Sequence, residues 1–229
     1  MNVITPINEA RRQTTADKVF ERLQSDIIAL RLPPGTKLSE VEMAKVYDVS
    51  RQPVREAFLR LGDLNLLEIR PQRATLVKRI SLLDIENTRF IRAAVEVEVV
   101  RRACRMASPE GLAKIEANLK LQEAAVGAGD VALLHDLDYQ FHRLVCSAAN
   151  CLAAFRTIAE NKAHTDRICT LELSDATAMA EILRDHTRIH TALVEGDEVR
   201  AAEFTRLHLS RLDATLAKAR ENHRDYFED

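Results

Sequence analysis

Residues 49–57 read Val49-Ser50-Arg51-Gln52-Pro53-Val54-Arg55-Glu56-Ala57, and this stretch decides the fold. Ser50 is a helix N-cap residue, and Pro53 falls in the first turn, where backbone N–H groups lack intrahelical partners. Val54, Ala57, Phe58 and Leu61 recur at helical spacing and form an inward stripe. Arg51, Gln52 and Arg55 lie on the first two turns, clear of that stripe. A recognition helix presents its N-terminal residues to base edges in the major groove, and arginine reads guanine bidentately. The same spacing also suits a solvated helix face that carries two arginines.

Working outward, Ser39 and Glu42 have capping-box spacing, with Leu38 placed to staple onto Met43, so a short helix is expected before the Tyr47-Asp48-Val49 turn. Upstream, Val19, Leu23, Ile27 and Leu30 predict a helix over Thr14 to Leu30, stopped by Pro33-Pro34-Gly35. Downstream, Leu66 to Arg70 and Ala74 to Val77 read as short strands joined by Pro71-Gln72-Arg73. Arg70, Gln72 and Arg73 would then sit on a hairpin able to reach a groove or the DNA backbone. Helix, short helix, turn, helix and hairpin is the order of a winged helix-turn-helix.

The composition agrees with a mostly α protein. The 229 residues are 46% hydrophobic and 30% charged, with no Trp and only six Gly, as expected of a globular helical chain. The net charge of −2 excludes a strongly basic whole-chain nucleic-acid binder. It is unevenly spread: residues 1–78 carry 13 basic and 10 acidic side chains, and residues 79–229 carry 20 and 25. The expected domains are 1–78, a winged helix-turn-helix DNA-binding domain, and 79–229, a helical effector-binding and dimerisation domain. No membrane segment or apolar leader is visible. Cys104, Cys146, Cys151 and Cys169 lack CxxC spacing and read as small core residues of a reduced, cytoplasmic protein.

Beyond Lys78, cap signals at Ser81, Ser108-Pro109, Asp130 and Asp197, with breaks at Asn150 and near Ser174, predict six helices in an antiparallel bundle. Asp138 and His142 are i, i+4 and lie close to the face of Leu134, Phe141 and Val145. His186 falls in the stripe Ile182, Ile189, Leu193, and His208 in the stripe Phe204, Leu212. Three imidazoles and a carboxylate facing inward would be costly if unpaired, and a divalent metal accounts for them: zinc first, nickel or manganese as alternatives. Each histidine taken alone also suits a satisfied core position. Periodicity does not separate His190 from His186, and His135 and His164 are present too. Arg92 stands one turn before Glu96, the spacing of an ion pair. Arg167 is expected at the surface, with a place in the lining of an interior cavity as the alternative.

Leu38-Ser39-Glu40 together with residues 49–57 resembles the N-terminal signature of GntR-family transcriptional regulators. Phe90 to Glu96, Asp138-Tyr139-Gln140-Phe141-His142, His186 and His208 resemble the FCD effector domain of the FadR-type branch. The resemblance implies that Arg51 and Arg55 contact DNA and that a wing tip enters the minor groove. Ala74 replaces a frequent glycine in that wing. It further implies a metal held by Asp138, His142, His186 and His208, and Arg92 in a cavity for a small carboxylate effector. The expected protein is therefore a metabolite-responsive regulator, read as a repressor, a homodimer on a double-stranded operator, and not an enzyme. A metal-dependent enzyme on a helical bundle, or a regulator whose signal is the metal itself, are the alternatives.

Overall fold

The computed structural model describes residues 13–70, 73–172 and 176–228. The chain divides into two compact units, Met1–Lys78 and Arg79–Asp229.

In the first unit, α1 (Thr15–Ile28) starts in a full capping box. The Thr14 hydroxyl oxygen accepts from the Asp17 N–H, and the Asp17 carboxylate accepts from the Thr14 N–H. Such a cap contributes about 1 kcal/mol. Ala16, Val19, Leu23 and Ile27 bury one face of α1 against α3. Leu30 falls beyond the helix, at φ 56°. Strand β1 (Lys37–Leu38) precedes α2 (Glu40–Val46) and α3 (Arg51–Asp63). Ser39 and Ser50 occupy the N-cap positions with extended backbones, but neither side chain makes a cap hydrogen bond, so the expected Ser39–Glu42 capping box does not form. The turn between the helices is made by Asp48 at φ 50°, a left-handed conformation that Asp tolerates. Val54, Ala57, Phe58 and Leu61 are buried, as their spacing requires.

The hairpin strands are β2 (Leu67–Glu68) and β3 (Thr75–Val77), shorter than expected. They form an antiparallel sheet of order β1-β3-β2, with Lys37 opposite Leu76 and Leu67 opposite Val77. Strand β1 carried no usable periodicity: two residues cannot show alternation. Pro71 and Gln72 lie outside the described residues.

The second unit packs α4 (Leu82–Met106), α5 (Pro109–Ala128), α6 (Val131–Ala148), α7 (Leu152–Glu172), α8 (Ala176–Glu195), α9 (Glu198–Ser210) and α10 (Leu212–Asn222). The caps read from Ser81, Ser108, Asp130 and Asp197 all form. Gly129, at φ 67°, closes α5. Seven helices are described rather than six, because a break at Arg211 divides the last one. Ser174 lies outside the described residues. The main core joins α4, α5, α6, α7, α8 and α9 through Val100, Ile115, Phe141, Ile158, Ile189 and Ala201. A second cluster joins Ile85, Ile168, Ala219 and Phe227. Among the described residues, no helix is long and apolar enough to cross a membrane.

Candidate recognition helix and candidate metal centre

Arg51, Gln52 and Arg55 are exposed on α3, away from its buried stripe. Arg51 Nη2 lies 3.4 Å from Glu40 Oε2, and Gln52 Nε2 donates to Glu56 Oε1 at 3.0 Å. Arg55 makes no ion pair among the described residues. On the hairpin, Arg70 forks onto Glu68, with Nε to Oε1 at 2.8 Å and Nη2 to Oε2 at 2.7 Å. Arg73 is exposed beside it. Exposed pairs of this kind contribute at most about 1 kcal/mol, so a nucleic-acid phosphate or base edge can replace them.

In the second unit, α6 supplies Asp138 and His142, α8 supplies His186 and α9 supplies His208. One donor atom from each lies within 4.8 Å of the others. Asp138 Oδ1 is 3.3 Å from His186 Nε2 and 3.6 Å from His142 Nε2. Neighbouring ligands held at about 2.1 Å from one ion stand roughly 3.0–3.4 Å apart, and the two Asp138 separations come close to that spacing. His142 Nε2, His186 Nε2 and His208 Nδ1 are all buried without a hydrogen-bond partner. Three orphaned ring nitrogens in one place are expensive in a dry core and fit a shared cation. His135, His164 and His190 stand outside the set. His190 Nε2 faces the Leu112 carbonyl at 3.3 Å instead.

A ring of buried polar groups supports the four. Glu96 Oε2 lies 2.7 Å from His142 Nδ1, while Glu96 Oε1 accepts from Arg92 Nε at 2.7 Å. Arg92 is buried, and its Nη1 also donates to Thr165 Oγ1 at 3.4 Å. Lys162 Nζ bridges Asp138 Oδ2 at 2.8 Å and Asp166 Oδ1 at 2.5 Å. Asp166 Oδ2 is 3.2 Å from His135 Nε2. Next to His186 in the chain, Asp185 is forked by Arg211, through Nη2 at 3.0 Å and through Nε. A cavity of about 10 Å³ lies against Glu96, His142 and Thr205, room for about one water.

Burial opposes every charge in this cluster. At Asp138, Lys162 and the histidines outweigh it and hold the carboxyl well below its usual range. At His142, Glu96 and Asp138 outweigh it and push the imidazole up to about 9. At His186 and His208 burial wins, which lowers both and leaves neutral rings.

Lys162, Asp166, Asn118 and Gln122 were not singled out from the sequence, and Glu96 entered it only as the ion-pair partner of Arg92, a pair that forms. The signal for Glu96 was its place on the buried stripe of Thr88, Arg92 and Val100. Arg167 is corrected: it is 1% exposed rather than at the surface. Helix α7 packs against α4, α6 and α10, which leaves position 167 no outward face, and burial lowers its guanidinium to about 10.

A winged three-helix unit in the first part of the chain and a helical bundle in the second define a DNA-binding regulator. Residues 15–77 match the family described as bacterial regulatory proteins, gntR family, and residues 88–211 match the FCD domain. The chain belongs to the GntR family of transcriptional regulators, in its FCD-containing branch. It is 34% identical over 229 residues to the HTH-type transcriptional repressor RspR of Escherichia coli K12, covering 100% of both chains. Among solved structures, E. coli McbR/YncC superposes with a TM-score of 0.78 at 20% identity, over 90% of this chain and 98% of that one. A GntR-type regulator from Rhodococcus sp. RHA1 gives 0.70 at 24% identity, over 89% and 98%. These two likenesses concern the fold.

Proposed function

We propose that this regulator is a metal-containing, metabolite-responsive repressor rather than an enzyme, working in the cytoplasm where its operator is. Residues 1–78 read a double-stranded operator, with Arg51, Gln52 and Arg55 entering the major groove and Arg70 and Arg73 reaching the backbone or minor groove. A pseudo-palindromic operator asks for two copies. The face of α4 supports a homodimer: Leu83, Phe90 and Ile91 are exposed on it, Phe90 to 76%. Residues 79–229 carry the effector response.

The observation that carries the reading is the set of buried Asp138, His142 and His186 with partly buried His208, and its three orphaned nitrogens. Zinc is the first candidate, with nickel or manganese as alternatives. Asp138, His142, His186 and His208 would hold a divalent cation, which would supply Lewis acidity for a small carboxylate. Arg92 is the organic cation nearest in role, and it already holds Glu96. An acid that reaches Arg92 must therefore compete with Glu96, which also orients His142. The cavity beside Glu96 and His142 has room for about one water, so an organic acid bound there would have to open the bundle. That would give ligand a preferred arrangement and hence a means of coupling to DNA.

The test is a thermal-shift screen of small carboxylic acids on zinc-loaded and metal-stripped protein. The reading expects one acid to raise the melting temperature of the loaded protein only. A stripped protein that melts at the same temperature as the loaded one, with no acid acting on either, overturns it.

A further inference from the structure

Two buried amides on α5, Asn118 and Gln122, belong to no ligand set, and they join α6 to α8. The direction of their hydrogen bonds follows from one fixed end. The Leu137 carbonyl can only accept, so the Asn118 group 3.1 Å from it is the Nδ2 amine. That leaves Asn118 Oδ1, which accepts from Gln122 Nε2 at 2.7 Å. Gln122 is then left with Oε1, and this oxygen lies 2.8 Å from His186 Nδ1. An amide oxygen cannot donate, so Nδ1 carries the ring proton. A neutral imidazole protonated at Nδ1 has a bare lone pair at Nε2, the atom 3.3 Å from Asp138 Oδ1. Phe141 stacks on the His186 ring at 3.9 Å and 12°, which holds its plane.

We propose that Asn118 and Gln122 are positioning residues that lock His186 in its Nδ1–H form, so that Nε2 faces the Asp138, His142 and His208 donors as a lone pair. The inference rests on the metal reading of the centre. The opposite tautomer would point an N–H at the cation and a lone pair at an amide oxygen, two repulsions at once. The relay starts at the carbonyl of residue 137 and so also anchors the turn of α6 that presents Asp138. One chain of amides thereby sets ligands on two helices. His142 is held differently, by the Glu96 carboxylate.

The experiment has two arms. In metal-free wild-type protein, long-range nitrogen–proton correlation of ¹⁵N-labelled imidazoles shows which His186 nitrogen bears the proton, and Nδ1–H is expected. A signal from the Nε2–H form overturns the proposal. In the second arm, zinc affinity is measured by competition with a chromophoric chelator for wild type, Gln122→Met and Gln122→Glu. Met keeps the volume but accepts nothing from Nδ1–H, and a loss of about 10–100-fold is expected. Glu still accepts from Nδ1–H but sets a carboxylate oxygen against Asn118 Oδ1, so its affinity is expected between those of wild type and Gln122→Met. A role in packing alone predicts the reverse order, and unchanged affinity in Gln122→Met overturns the relay. Wild-type protein that takes no zinc overturns the metal reading, and the tautomer spectrum then judges the relay by itself.

Discussion

Arg55→Ala isolates the recognition helix. The side chain is exposed, has no ion pair among the described residues, and lies off the Val54, Ala57, Phe58 and Leu61 stripe. Alanine is a better helix former than arginine, so α3 keeps its place. Whatever is lost comes from DNA contact. A bidentate arginine–guanine pair is worth about 1–3 kcal/mol. With two copies on the operator, as proposed, the whole-operator loss would be about 2–6 kcal/mol, roughly 30-fold to 10⁴-fold in Kd. Arg51→Ala should cost less, because Arg51 must first leave Glu40, 3.4 Å away. The assay is fluorescence anisotropy on a duplex selected from random sequence with the wild-type protein, at fixed salt. Discrimination between the selected and scrambled duplexes should narrow with Arg55→Ala. A uniform loss on all duplexes, with a shallower salt dependence, would reassign Arg55 to the phosphates. Unchanged affinity for the selected duplex would refute the placement of α3 in the groove.

Three further outcomes follow from the geometry. The Thr14 N–H and hydroxyl, with Arg60, lower Asp17 from 3.8 to about 2; a depressed carboxyl stabilises above its ordinary pKa and loses that contribution as pH falls from about 4 to 2. Asp17→Asn should therefore flatten acid unfolding of α1 over that window, and circular dichroism against pH that is no flatter than wild type would contradict the capping-box account. Phe90→Asp on the exposed face of α4 should shift sedimentation towards the monomer without lowering helicity, and an unchanged dimer moves the interface elsewhere. Glu96→Ala leaves Arg92 buried beside Thr165 without its carboxylate, which should cost about 3–5 kcal/mol in urea unfolding of the metal-free protein; a loss under 1 would mean the pair is wetter than its burial indicates.

The elements that depend on local chemistry were legible. Side-chain caps at Ser81, Ser108, Asp130 and Asp197 mark helix starts because the cap hydrogen bond is made within three residues. The α3 stripe was legible because one face of it is wholly buried. One local signal failed, and the other failures depend on distant packing. Ser39 and Ser50 have cap identity and cap backbone, yet their hydroxyls make no cap bond. The break at Arg211 has no Gly or Pro to announce it; the fork from Arg211 to Asp185 on α8 accompanies it. Arg167 looked like a surface residue because arginine usually is one, and only the packing of three helices around α7 says otherwise. The ligand set was carried by resemblance, since periodicity gave His186 and His190 equal standing. Their surroundings separate them: one faces Gln122 and the cluster, the other a backbone carbonyl.

The buried ring around the centre also changes what Arg92 can mean. An arginine open to a cavity would offer an anion both its charge and its fork. Here Nε is spent on Glu96, and Nη1 reaches Thr165 on α7. An incoming carboxylate that took over part of the guanidinium would weaken the hold on Glu96, and Glu96 is the group against His142 Nδ1. The exchange sets a second carboxylate beside Arg92, so buried Glu96 would keep His142 as its remaining close counter-charge. It also has a geometric consequence, because Glu96 is fixed on α4 and the ligand is not. Effector occupancy would thus relax the tie between α4 and α6 while leaving Asp138, His186 and His208 in place. A two-arrangement bundle needs such a tie, one that ligand can release without dismantling the centre.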